Sequence, residues 1–119
     1  MARALIYSER YNVLSNDAIK QAGQRIAAAA HAPLKVILFG SYARSDSDEG
    51  SDLDLMVVEE EVPDRTGEYL RLRKALGSLG VGVDLFPYPK QEFQKHREWY
   101  STPVYWAARE GKVLYESTA

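Results

Sequence analysis

The stretch GSYARSDSDEGSDLD, residues 40–54, combines a Gly-Ser turn with two aspartates two positions apart, Asp52 and Asp54. Ten residues separate the turn from the first aspartate. The stretch lies between two apolar runs, 34–39 and 55–58, which are typical of buried neighbouring strands. A turn with carboxylates at this fixed distance is suited to binding a nucleoside triphosphate and a pair of metal ions.

The first half of the stretch has the features of a phosphate-binding turn. Gly40 permits a sharp turn and a close approach of the backbone to a ligand. Ser41 stands where a short helix over 41–44 can begin, and serine is a favoured capping residue. Free N–H groups at a helix start attract phosphate. We therefore predict that Gly40, Ser41 and Arg44 bind the nucleotide, with the Ser41 hydroxyl as a direct phosphate contact.

The second half supplies paired carboxylates. In a strand, residues two apart face the same side, so Asp52 and Asp54 project together while Leu53 and Leu55 enter the core. Two carboxylates about 4 Å apart repel by about 4 kcal/mol at an effective dielectric constant near 20. Divalent cations between the acids and a triphosphate make the arrangement favourable. Mg²⁺ is the usual choice because it prefers carboxylate, water and phosphate oxygens.

A third carboxylate, Asp84, lies in the apolar run 81–86. We expect it to be buried there, and a buried acid needs a partner. Three acids on adjacent strands could hold two ions about 3.5–4 Å apart, as phosphoryl or nucleotidyl transfer requires. The sequence thus predicts Asp52, Asp54 and Asp84 as both metal ligands and catalytic residues.

The remaining pattern indicates one α/β domain over residues 1–119, with a small mixed sheet flanked by helices. Apolar residues at helical spacing predict a helix over 16–31, capped by Asn16, and another over 65–79. The three glutamates at 59–61 are typical of a solvated loop. The expected order is helix, strand, short helix, strand, helix, strand, helices.

Composition excludes several classes of function. A net charge of −2 and a pI of about 5.7 argue against a nucleic-acid-binding surface. No apolar run approaches the length that spans a membrane, and we expect no signal peptide. The absence of cysteine is compatible with the cytoplasmic location that we expect. The oligomeric state is left open.

These features resemble the minimal nucleotidyltransferases of the DNA polymerase β-like superfamily. The family pattern is Gly-Ser, ten residues and Asp-x-Asp, which the turn and Asp52-x-Asp54 match, and a later strand carries a third acid like Asp84. The match covers roughly residues 34–86, and the segment 105–115 is similar to the family's closing segment. The resemblance implies a polymerase β-like nucleotidyltransferase fold and transfer of a nucleotide, typically AMP from ATP, with two Mg²⁺ ions.

One position departs from the family pattern. Relatives often read Gly-Ser-x-Ala-Arg-Gly, and Ser45 stands here in place of the last glycine. This substitution leaves the turn after Arg44 open.

The acceptor of the nucleotide is identified only through the resemblance. A two-gene toxin–antitoxin pair is implied, in which this chain is the antitoxin and adds AMP to a tyrosine of a HEPN-domain toxin. Two alternatives remain: the catalytic subunit of a two-subunit transferase for small molecules such as aminoglycosides, and an antitoxin or nucleotide-binding module without catalysis. Aromatic residues crowd the segment 86–106, where they either pack the core or contact a partner.

Overall fold

The predicted alternation of strands and helices is confirmed. A computed structural model describes residues 13–118, and in that range it contains five helices and four strands. In chain order they are α1 (Asn16–Ala29), β1 (Pro33–Phe39), α2 (Ser41–Arg44), β2 (Leu53–Glu59), α3 (Arg65–Leu76), β3 (Val83–Pro89), α4 (Lys90–His96), α5 (Pro103–Glu110) and β4 (Lys112–Glu116). The last strand, β4, was not predicted.

The strands form one mixed sheet in the order β3-β2-β1-β4. β1 is antiparallel to both β2 and β4, whereas β2 and β3 are parallel and are connected through α3. β3 and β4 are therefore the edge strands. The predicted mixed sheet flanked by helices is confirmed.

Helices cover both faces of the sheet because strand residues alternate between two apolar clusters. Leu53 and Leu55 point to the face that packs against α1 and α3, and both are fully buried. Ile37 and Met56 point to the opposite face, where Val104 of α5 packs. Asp54 has the same strand parity as Met56, so its side chain belongs to the α5 face.

Helix ends differ from the sequence prediction by a few residues. Ser15, not Asn16, caps α1, because its hydroxyl accepts the backbone N–H of Ala18 at 3.1 Å. The helix predicted over 65–79 ends earlier, at Gly77, which adopts φ 71°. None of the helices in residues 13–118 has the length and apolar character needed to cross a membrane.

The first residue of the acidic run after β2 is not solvated, so this part of the prediction was wrong. Glu59 is fully buried, and its carboxyl accepts the backbone N–H of Ala32 at 3.1 Å. Its neighbour is Glu68 of α3, which is also buried. Glu68 accepts the backbone N–H of His31 at 2.9 Å and pairs with Arg71. The two glutamates thus tie the α1–β1 loop to β2 and α3.

Candidate active site

The strand register brings the predicted site residues to one end of the sheet. Phe39, the last residue of β1, lies opposite Asp54, and Asp54 lies beside Asp84 in the parallel pair of β2 and β3. A cleft of about 490 Å³ opens there. It is lined by Phe39, Gly40, Ser41, Arg44, Asp52, Asp54, Asp84, Trp106 and Glu110. All six residues predicted from the sequence line this one cleft.

The three aspartates differ in their exposure to solvent. Asp54 is half-buried, whereas Asp52 and Asp84 are exposed. The expectation that Asp84 is buried was wrong, because this residue is the second of an edge strand and faces the open cleft. Burial, followed by repulsion from Asp84 and Asp52, raises the pKa of Asp54 to about 6, and the Arg44 charge opposes this rise. The site therefore concentrates negative charge that a cation would neutralise.

Two glycines allow the backbone to pack directly against the aspartates. Gly40 has φ 77°, and a methyl group on it would overlap the Asp54 carboxylate. A methyl group on Gly82, just before β3, would overlap the Asp52 carboxylate. The Gly82 carbonyl also accepts the N–H of Leu53 at 2.8 Å. The sequence analysis did not predict this contact of Gly82 with Asp52, because nothing in the spacing of the two residues indicates it.

The Gly-Ser turn leads into a single helical turn. Gly40 is the capping residue of α2 and Ser41 is its first helical residue, so the expectation that Ser41 caps the helix was wrong. The first backbone N–H groups of a helix have no acceptor within it, which leaves the Ser41 N–H available to a ligand. Ser45 ends α2 in the left-handed conformation with φ 63°, the conformation that glycine adopts most readily. The turn after Arg44 thus keeps a glycine-like geometry without the glycine.

Arg44 and Glu110 form an ion pair at the mouth of the cleft. Arg44 Nη1 lies 3.0 Å from Glu110 Oε1 and 3.2 Å from its Oε2, and Arg44 Nε donates to Asp46 at 3.2 Å. Glu110 Oε1 also accepts the Gly40 N–H at 3.1 Å. Sequence reasoning missed Glu110, since 66 residues separate it from Arg44 and no local motif marks it.

The donor set fits a hard divalent cation by its chemistry. Within residues 13–118, no three His, Cys, Asp or Glu side chains are already gathered closely enough to hold a metal ion. Asp84 nevertheless lies within hydrogen-bonding reach of Asp54, and the exposed Asp52 lines the same cleft. Carboxylates crowded around Asp54, whose pKa is raised, favour Mg²⁺, which prefers oxygen ligands.

Comparison with known proteins identifies the family. A sequence profile of the family described as "Nucleotidyltransferase domain" matches residues 19–102, which is more than half of the chain. The chain belongs to this nucleotidyltransferase family.

Two relatives of this nucleotidyltransferase come from the archaeon Methanocaldococcus jannaschii. "Putative protein adenylyltransferase MJ0604" is 35% identical over 82 residues, covering 68% of this chain and 77% of that protein. "Putative protein adenylyltransferase MJ0141" is 59% identical over 29 residues, covering 24% of this chain and 29% of that protein.

A solved structure supports the fold of this nucleotidyltransferase. A toxin–antitoxin crystal structure with AMP-PNP matches with a TM-score of 0.57 and 20% identity, covering 86% of this chain and 75% of that one. The family and the enzyme class predicted from the sequence are confirmed. The roles of individual residues in the cleft remain predictions.

Proposed function

We propose that this protein transfers AMP from ATP to a hydroxyl group of a partner protein. The observation that carries the proposal is the single cleft that contains both the Gly-Ser turn and three aspartates from two adjacent strands. A binding module without catalysis has no use for repelling carboxylates at such a position. Transfer chemistry uses them to hold cations against a triphosphate.

Four side chains of the cleft have roles in the proposed reaction. Ser41 would donate its hydroxyl and backbone N–H to the triphosphate, and Asp52, Asp54 and Asp84 would hold two Mg²⁺ ions. These ions would neutralise phosphate charge and lower the pKa of the attacking hydroxyl. Asp84 accepts the proton of that hydroxyl as its oxygen bonds to the α-phosphorus. The bond from the α-phosphorus to the bridging oxygen breaks, and pyrophosphate leaves with the electron pair.

The acceptor is a protein in this proposal, specifically a tyrosine of a HEPN-domain toxin, and the chain acts as the antitoxin in the cytoplasm. The names of the two archaeal relatives, which refer to protein adenylyltransferases, support a protein acceptor. The structural neighbour described as a toxin–antitoxin pair with AMP-PNP supports a toxin partner and an adenine nucleotide.

A surface beside the cleft is suited to contact such a partner. Trp99, Tyr100 and Trp106, which we call the aromatic surface, have exposed fractions of 49%, 75% and 46%. The Trp106 indole N–H donates to the Tyr100 carbonyl at 3.1 Å, which holds the surface together, and Trp106 also lines the catalytic cleft. Large exposed aromatic residues are enriched at protein interfaces. A partner bound here would have its acceptor hydroxyl near the aspartates.

The charge around the aromatic surface indicates an acidic partner segment. Arg109 lies over the ring of Tyr105 at 5.1 Å, and that ring contacts Trp106 edge-on. Arg109 is exposed and forms no ion pair within the described part of the protein. An acidic group of the partner would complement this charge.

The experiment that tests the proposed function is intact-mass spectrometry of the protein encoded by the adjacent gene. It is incubated with ATP, Mg²⁺ and either wild-type enzyme or the Asp52→Ala/Asp54→Ala variant. Glu60→Ala/Glu61→Ala is the matched control, because it removes two exposed acids outside the cleft. We expect an AMP-sized mass gain with the wild type and the control, and none with the aspartate variant. A stable complex without any mass gain would contradict the proposal and favour a non-catalytic antitoxin.

The aromatic surface is tested with the same partner. Replacing Trp99 and Tyr100 by alanine should raise the KM for the partner at least about tenfold, since buried aromatic residues dominate interface energetics. The KM for ATP should not change. Leu70→Ala is the control, because Leu70 is 59% exposed on α3 at the opposite face of the sheet. An unchanged KM for the partner would exclude this surface as the docking site.

A further inference from the structure

Glu110 joins the C-terminal helix to the Gly-Ser turn through a single carboxylate. Its Oε1 accepts the Gly40 N–H at 3.1 Å, and both of its oxygens accept from Arg44 Nη1 at 3.0 and 3.2 Å. The Glu110 side chain is 20% exposed, so these bonds are partly shielded from water. Charge-assisted hydrogen bonds of this kind are roughly twice as strong as neutral ones.

The bond to Gly40 acts on the part of the turn that touches the catalytic acids. Gly40 packs closely on Asp54. The Asp54 carboxylate occupies the position that the β-carbon of any other residue at position 40 would need. Ser41 follows directly in the chain. The orientation of the peptide group at Gly40 therefore determines both the position of the Ser41 hydroxyl and the space available to Asp54.

The positive charge of Arg44 is balanced by neighbouring carboxylates, which leaves no spare positive charge for a triphosphate. Its guanidinium group donates to Asp46 at 3.2 Å and to Glu110. Hydrogen bonds to these two carboxylates, with Asp46 the larger effect, raise the pKa of Arg44. One cation thus faces two anions, and this balance favours a role in holding Glu110 over direct phosphate binding.

We propose that Glu110 is a positioning residue for nucleotide transfer, acting through the Gly40 N–H and supported by Arg44. The inference rests on the proposed function and extends it to a residue that does not touch the substrate. Glu110 keeps the Gly-Ser turn and Asp54 in register with the α-phosphorus. A displacement of about 1 Å at such a place can reduce the rate by about a hundredfold.

Three substitutions separate the two contacts of Glu110. Glu110→Ala removes both contacts, Glu110→Gln keeps a carbonyl acceptor for the Gly40 N–H, and Arg44→Ala leaves the Gly40 contact but removes the ion pairs with Glu110 and Asp46. We expect Glu110→Ala to lower kcat about 10- to 100-fold with the KM for ATP within about threefold of wild type. Glu110→Gln should restore kcat to within about fivefold. Glu92→Ala is the control, because it breaks the Arg65–Glu92 ion pair between α3 and α4, outside the cleft.

The Gly40 contact is also measured without catalysis. Hydrogen exchange of the assigned Gly40 amide should be at least about tenfold faster in Glu110→Ala and should stay slow in Glu110→Gln, because a lost acceptor leaves the N–H open to water. An unchanged Gly40 exchange rate in Glu110→Ala would overturn the proposal, as would an equal loss of kcat in the Ala and Gln variants. A lowered melting temperature with unchanged kcat would overturn it too, by showing a purely structural role. Failure of the wild type itself to transfer AMP would instead refute the proposed function.

Discussion

The buried pair of Glu59 and Glu68 makes the stability of this protein depend on pH in a direction opposite to that of most acidic residues. Glu59 Oε2 is buried and has no hydrogen-bond partner within the described residues. When Oε2 carries a proton, it gains a hydrogen-bond partner, because the protonated oxygen can donate to Glu68. Burial, followed by the hydrogen bond to Glu68, raises the pKa of Glu59 to about 7.

Glu68 is the member of the pair that stays charged. Burial opposes its charge, but the hydrogen bonds from Glu59, from the His31 N–H and from Arg71 outweigh burial and lower the pKa of Glu68. Its titration therefore lies below the ordinary value of 4.5, outside the pH range in which Glu59 titrates.

The size of the effect follows from the two states of Glu59. The ordinary pKa of 4.5 and the raised pKa of about 7 bound a pH range in which Glu59 of the folded protein keeps a proton that the unfolded chain has lost. The free energy of unfolding thus falls as the pH rises through this window, by about 1.4 kcal/mol per pH unit and about 3 kcal/mol in all. Glu59→Gln carries a permanent donor in place of the proton. We expect the variant to be about 3 kcal/mol more stable than wild type above pH 8, or about 10 °C in Tm.

The measurement is urea unfolding of wild type and Glu59→Gln at intervals from pH 4.5 to 8.5. The quantity of interest is the difference between the two proteins, since it cancels the contribution of Asp54, whose raised pKa acts in the same window. Glu60→Gln is the control. Because Glu60 is exposed, the difference in free energy of unfolding between this variant and wild type should not change with pH. The proposed proton between Glu59 and Glu68 would be refuted if the difference in free energy of unfolding between Glu59→Gln and wild type did not change with pH. It would also be refuted if the variant were less stable than wild type at pH 8.

Three further predictions follow from the cleft. Gly82→Ala should lower AMP transfer at least about tenfold while changing stability by less than about 1 kcal/mol, because the methyl group displaces the exposed Asp52 carboxylate. Kinetics and urea unfolding test this beside Gly50→Ala, whose methyl group meets only an ordinary contact, and a normal rate for Gly82→Ala would disprove it. Asp54→Asn should raise Tm by a few degrees in chelator, corresponding to about 1 kcal/mol, because it removes one of three repelling charges. Mg²⁺ should then raise the Tm of wild type but not of the variant, and an equal rise in both would exclude Asp54 as a ligand. Ser45→Gly should stabilise the protein by about 0.5–1 kcal/mol, because Ser45 has φ 63°, and a loss of stability in thermal unfolding would argue against a strained turn.

Local patterns predicted most of the sheet and the position of the aspartates. The apolar run of β1 ends at Gly40, and the alternation around Asp54 places its side chain opposite the buried leucines. Both signals are strong because the strands are central and covered on two faces. The strand β4 was missed because its residues are exposed or half-buried, as an edge strand permits, and its apolar run is only three residues long.

The errors arose where distant parts of the chain decide a residue's environment. Glu59 follows the pattern of a solvated run, yet α3 and the α1–β1 loop cover it completely. Asp84 lies in an apolar run, yet its edge strand leaves it open to solvent. Glu110 meets Gly40 across 70 residues of sequence, and no spacing rule covers such a distance.

The pairing of β1 with β4 has a consequence for synthesis of the protein. β4 pairs with β1, so that Lys35 lies opposite Glu116, and α5 immediately precedes β4. A nascent chain can form the β1–β2–β3 sheet and gather all three aspartates before α5 has left the ribosome. Until residue 110 has been made, however, the Gly40 N–H lacks its carboxylate and the cleft lacks the wall that carries Trp106. Synthesis of α5 therefore completes a cleft whose acidic residues were already in place.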